Sequence, residues 1–223
     1  MPLNSHAAKR QVQRQIYPDT SCLRIDSNTL PHKELTLLLL PPELEQRALG
    51  ILRRCQSVLD DLIGTPNSRF SVVNIRQADY GPTIAIDGNE ATLVVGPNAV
   101  SCESTLVSNV AHESVHLYLT DGAFGDASGL EEGFALHFEL STVEEHYGKS
   151  ERQRHIDHLP ATYTTALRDY ERLLTIEDNP VIRCLERHGK LTGLSWRDMR
   201  QLFPQTGWWM SYRLVRRRRM RVG

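Results

Sequence analysis

His112-Glu113-Ser114-Val115-His116, set within residues 101–119 (SCESTLVSNVAHESVHLYL), is the stretch on which the reading of this chain turns. Its spacing predicts a helix from about Ser101 to Leu119. Histidines four apart lie on one helical face, so both imidazoles reach the same metal ion. Glu113, beside the first of them, is placed to polarise a water on that ion. Two nitrogen ligands, a third protein ligand and an open position make a catalytic zinc site. One Zn²⁺ per chain is therefore expected, with His112 and His116 as ligands and Glu113 as the catalytic base.

Two histidines leave the site incomplete, and the third ligand is expected on a second helix facing the first. Leu130-Glu131-Glu132-Gly133-Phe134-Ala135 supplies it. Ser128-Gly129-Leu130-Glu131 has capping-box spacing, which assigns the Glu131 side chain to the backbone N–H of Ser128. Glu132 points about 100° further around the helix and is free to face the metal. Gly133 is expected to let the two helices approach. Glu139, two turns beyond Glu132 on the same face, is placed to accept an N–H from a ligand histidine and fix its tautomer.

The HExxH followed by a Glu-Gly-Phe-Ala helix resembles the gluzincin metallopeptidases, in particular the aminopeptidase N family and its relatives with a peptidase-MA-like domain. The resemblance covers roughly residues 83 to 140. It implies a zincin-like fold, Glu132 as third zinc ligand with Glu131 in place of the family's usual asparagine, and Glu139 at the family's later glutamate. The chain departs from the pattern in three places. Fifteen residues separate His116 from Glu132, a shorter connection than the family's. No Gly-Ala-Met-Glu-Asn-like segment precedes the HExxH, so recognition of a free amino terminus is not implied. The late segment Trp208-Trp209-Met210-Ser211-Tyr212-Arg213-Leu214-Val215 resembles the last helix of peptidase-MA-like domains, with a tryptophan at the tyrosine position. A metzincin pattern fails on Leu119 and Gly122, which stand where a glycine and a third histidine are required.

Around these helices the chain reads as α+β. Residues 1–30 form a polar leader, expected to be mobile, and residues 31–215 one zincin-like domain. Its first part, 31–120, is α/β; its second, 121–215, is mostly helical, with breaks at Pro160, Pro180, Gly189–Gly193 and Pro204. Glu34 to Leu40 reads as a buried strand, Glu43 to Ile63 as a helix with apolar spacing, and Phe70 to Ile75 as a second strand. Thr83–Ile86 and Ala91–Val95 flank Asp87-Gly88-Asn89-Glu90 as a hairpin. The metal-ligand helices should span about Ser101–Leu119 and Gly129–Tyr147. Residues 216–223 are a basic tail containing Arg216 to Arg219 and Arg221, read as a solvated terminus. Trp208 and Trp209 are read as core.

Composition narrows the setting. Of 223 residues, 40% are apolar and 24% charged, and the formal net charge is −1, so nothing draws the chain as a whole to nucleic acid or an anionic membrane. The longest mostly apolar run, Leu35 to Leu40 with Thr36 inside it, is too short to span a bilayer. The polar first residues lack the apolar core of a Sec signal. Cys22, Cys55, Cys102 and Cys184 are scattered without a CxxC pair, which points to reduced thiols and a cytoplasmic protein.

These features together predict a zinc metallopeptidase acting on a peptide or protein substrate, more in keeping with an endopeptidase on one specific protein than with an aminopeptidase. No membrane or nucleic-acid partner is expected. Candidate transition-state donors are Tyr163, Tyr212, His155 and His158, each of which also has a bland reading as a packing or surface residue. The alternative from another class is a non-catalytic zincin-like binding or regulatory module; an intact Glu113 argues against it.

Overall fold

The computed structural model describes residues 37–64, 70–119 and 127–216. The leader and the tail beyond Arg216 lie outside them. The described residues are α+β and mostly helical, with eight α-helices and one four-stranded mixed sheet.

The sheet is built from β1 (Leu38–Leu39), β2 (Ser71–Gln77), β3 (Thr83–Asp87) and β4 (Glu90–Val95) in the order β1-β2-β4-β3. β2 and β4 run parallel; β1 and β3 pair antiparallel on the two flanks. Asp87 pairs with Glu90, so Gly88-Asn89 is a two-residue hairpin loop. Gly88 takes a positive φ of 59°, the conformation a type II′ turn asks of its first central residue. The strand expected at 34–40 is a correction. Its described part is two residues long, and Leu38 and Leu39 are exposed on the flank of the sheet; Leu40 alone turns inward.

α1 (Pro42–Ile63) begins with proline at its first position and ends at Gly64, whose φ of 82° closes the helix. Its apolar stripe serves two clusters. Ala48 and Leu52 join Ile75, Leu93, Val95, Leu106 and Val110 between the sheet and the helices. Cys55 and Leu59 join the helical cluster with Val115, Leu130, Leu173, Met199 and Leu214.

α2 (Glu103–Leu119) is buried on nearly every side, including Ser104, Ser108, His112, Glu113 and Ser114. It has no solvated stripe because the sheet, α1 and the next helix enclose it. α3 (Gly129–Tyr147) is enclosed as far as Leu140, becomes exposed in its last turns, and closes at Gly148. The remaining helices are α4 (Lys149–Asp157), α5 (Ala161–Leu174), α6 (Pro180–His188), α7 (Trp196–Leu202) and α8 (Trp208–Val215). A bidentate ion pair from Arg213 to Asp169, at 2.6 and 2.7 Å, ties α8 to α5.

Two sequence expectations are corrected in this helical part. A Cβ on Gly133 would lie 2.6 Å from the carbonyl oxygen of Ala166 and 2.6 Å from Cβ of Tyr170. The glycine therefore brings α3 close to α5, not to α2. Trp208 and Trp209 are not core: they are 53% and 57% exposed. Met210, Ser211 and Leu214 form the inward face of α8, which leaves positions 208 and 209 outside, stacked on each other at 4.0 Å.

Candidate metal centre

The seam between α2 and α3 holds the site. His112 and His116 are one turn apart on α2, and their Nε2 atoms face each other at 3.1 Å. Glu132, in the first turn of α3, completes a triangle: its carboxylate oxygens lie 3.5 Å from Nε2 of each histidine. All three ligand atoms fall within 4.8 Å of one another.

The other ring nitrogens are held from behind. Nδ1–H of His112 donates to Glu139 at 2.9 Å, and Glu139 in turn accepts from the Ser108 hydroxyl at 2.5 Å. Nδ1–H of His116 donates to Glu131 at 2.9 Å. A carboxylate only accepts, so these bonds place the Nδ1 proton and leave each Nε2 lone pair pointing into the triangle.

Glu131 is the principal correction at the site. The cap it was assigned to is made without its side chain: the Ser128 hydroxyl accepts from the Glu131 backbone N–H at 3.2 Å. The Glu131 carboxylate is thereby free for His116. Adjacent glutamates thus divide the work, Glu132 facing the centre and Glu131 orienting a histidine behind it. Ser108, missed in the sequence, lies one turn before His112 on the same face of α2; that spacing is the signal that would have found it.

The donor set fits a divalent cation with nitrogen and oxygen ligands. A tetrahedral ion with bonds of ~2.0–2.1 Å sets its ligand atoms roughly 3.3 Å apart, close to the separations present. Glu132 Oε2 is buried and has no hydrogen-bond partner among the described residues, an unsatisfied group that a cation would satisfy. Without a cation the electrostatics are tense. Burial disfavours the charged form of His112, but Glu132 and Glu139 outweigh it and hold the imidazole up at about 10. Burial acts on His116 in the same sense, and Glu132 and Glu131 again prevail. Burial raises the Glu132 carboxyl, yet the facing histidines pull it far below the usual carboxylate range. A triangle that draws positive charge this strongly holds either shared protons or a metal.

Glu113 sits beside the triangle, 5% exposed. Burial pushes its carboxyl above the ordinary glutamate value, against the neighbouring histidines. Among the candidate donors, Tyr163 of α5 is brought to the centre. Its ring lies 6.3 Å from that of His112, and burial, then Glu132, Glu113 and Glu139, keep its hydroxyl protonated. The other three are placed elsewhere. His155 lies against Ser104 at 3.5 Å. His158 is exposed and donates from Nδ1 to the carbonyl of Arg154 at 2.6 Å. Tyr212 is on the outer face of α8, edge-on to Trp209.

Among the described residues Cys55, Cys102 and Cys184 are unpaired, and no described helix is long and apolar enough to cross a membrane. No protein-family model, curated protein or solved structure matches the chain.

Proposed function

We propose that the protein is a zinc metallopeptidase of zincin-like fold, with Zn²⁺ held by His112, His116 and Glu132. The observation that carries this is the triangle of convergent ligand atoms with a buried carboxylate, Glu113, next to it in the helix. The resemblance of HExxH and Glu-Gly-Phe-Ala to the gluzincins supports the same assignment, and a donor set of two imidazole nitrogens and one carboxylate favours zinc over magnesium or calcium.

Bound there, zinc supplies Lewis acidity, polarising a carbonyl and bringing the pKa of a coordinated water to about 7. The residues of the chain do the rest. Glu113 accepts a proton from the water that attacks the scissile carbonyl and hands it to the departing amine. A carboxylate whose pKa is raised by burial is a better match for that exchange near neutrality than a solvated one. Tyr163 donates its O–H to the oxygen on which negative charge develops. Glu131 and Glu139 keep both imidazoles in one tautomer and one orientation throughout. The substrate is a peptide or protein, and the lack of an amino-terminus-binding motif favours internal cleavage of a specific protein.

The test is cleavage of folded and unfolded protein libraries by the zinc-loaded protein, read by mass spectrometry of new termini. Glu113→Gln should retain zinc and lose turnover by at least about 10²-fold. Equal cleavage by wild type and Glu113→Gln would overturn the assignment.

A further inference from the structure

The face of α3 opposite the metal centre floors a cleft of about 530 Å³, well within the range of small-molecule sites. α1 forms one wall; α5 and α6 contribute the other. Along most of its length the lining is apolar, with Val58 and Leu62 of α1, Phe134 and Phe138 of α3, and Ile182 of α6. Towards the last turns of α3 it becomes polar, lined by Arg54, Ser141, Glu145 and His146.

Three features of the cleft are unexplained by the fold around it. Gly50 lies in the interior of α1, where glycine weakens a helix relative to alanine. Gly50 is exposed and a Cβ there would meet no atom within 4 Å, so no described neighbour requires the glycine. Arg54, one turn on, bonds the ring of His146 at 3.4 Å and no other side chain among the described residues. No carboxylate pairs with it among the described residues, although Glu145 and Asp178 also border the cleft. Arg47, by contrast, is paired with Glu103 at 2.9 Å. On the floor, Nδ1 of His137 is buried without a hydrogen-bond partner among the described residues.

We propose that this cleft binds an amphiphilic carboxylic acid. Its carboxylate sits over Gly50 against Arg54, His146 and Ser141, and its alkyl chain runs between Val58, Leu62, Phe134 and Ile182. The open seat beside a guanidinium that no described carboxylate pairs selects the head group. The apolar length of the cleft selects the chain. This site is separate from the metal centre: α3 turns Glu131, Glu132 and Glu139 to one side, and Phe134, His137 and Phe138 to the other.

Dodecanoate, titrated below its micelle concentration into the full chain by calorimetry, tests the proposal. One saturable site is expected. Gly50→Ala should raise Tm and weaken dodecanoate severalfold, because its Cβ enters the seat of the carboxylate. Gly50→Phe, which grows into open space, should keep or raise Tm and abolish binding. Arg54→Gln should weaken dodecanoate about tenfold and leave binding of 1-dodecanol unchanged. Absence of a saturable site, undiminished binding by Gly50→Phe, or an equal effect of Arg54→Gln on acid and alcohol would each overturn it.

Discussion

The interior of the sheet region and the seam between α2 and α3 are both largely buried but filled with opposite chemistry. In the first, Ile75, Leu93, Val95, Leu106 and Val110 gather with other aliphatic side chains. In the second, His112, Glu113, His116, Glu131, Glu132 and Glu139 occupy the middle of a helix pair. Aliphatic burial stabilises by roughly 25 cal/mol per Å². Burial of charges costs several kcal/mol per ion unless each is paired and hydrogen-bonded, and leucine in their place is often neutral or better. The seam is therefore not there to hold the fold together. It is a polar device set into a scaffold that the aliphatic clusters stabilise.

That contrast breaks most sharply with one substitution in each region. Glu132→Ala should abolish stoichiometric zinc binding, measured by competition with a chelating dye, while leaving the aliphatic clusters intact. Leu93→Ala should do the reverse. It should cost about 2–5 kcal/mol in denaturant unfolding, with zinc affinity of the folded protein unchanged. If Leu93→Ala altered zinc affinity as strongly as stability, the two regions would not be independent.

Ligand linkage sharpens the comparison. Zinc at a hundred times its Kd should stabilise the wild type by about 2.7 kcal/mol and leave His116→Ala unmoved, as read by thermal unfolding with and without a chelator. A similar zinc-dependent gain in both would place the ion elsewhere.

The supporting carboxylates come next in size. Glu139→Ala and Glu131→Ala should each weaken zinc by about 10–100-fold. Ser128→Ala should instead cost about 1 kcal/mol of stability with zinc affinity unchanged, because it is the Ser128 hydroxyl, not the Glu131 carboxylate, that caps α3. An unchanged affinity in Glu131→Ala would restore the capping role assigned to it from spacing alone.

The smallest expected effects are on the surface. Trp208→Ala and Trp209→Ala should each change stability by no more than about 0.5 kcal/mol, since the pair stacks outside the core. A loss of several kcal/mol in chemical unfolding would mean that the outer face of α8 is covered.

What the sequence disclosed follows from how local each signal is. The α3 boundaries were legible because Ser128, Gly129 and Gly148 mark both ends within the segment itself. The hairpin was legible from Asp-Gly-Asn-Glu between two β-rich runs. His112, His116 and Glu132 were legible as a candidate ligand set by helical geometry, and the structure brings them into one triangle that could hold a metal ion. Glu131 was misread because two partners competed for it. The cap was visible within four residues, whereas His116 is 15 residues away in sequence and becomes a neighbour only when α2 and α3 pack. Gly133 was misread for the same reason, since its close partners, Ala166 and Tyr170, lie on a helix more than 30 positions later. The tryptophans were misplaced because large apolar residues read as core in any one-dimensional pattern, and only the packing of α8 shows which of its faces is turned outward.

The most direct measurement is metal content by elemental analysis of the purified wild type, Glu113→Gln and His116→Ala after zinc supplementation and dialysis. The account predicts one zinc per chain in wild type and in Glu113→Gln, and none in His116→Ala. No zinc in the wild type, or full stoichiometry retained in His116→Ala, would contradict it.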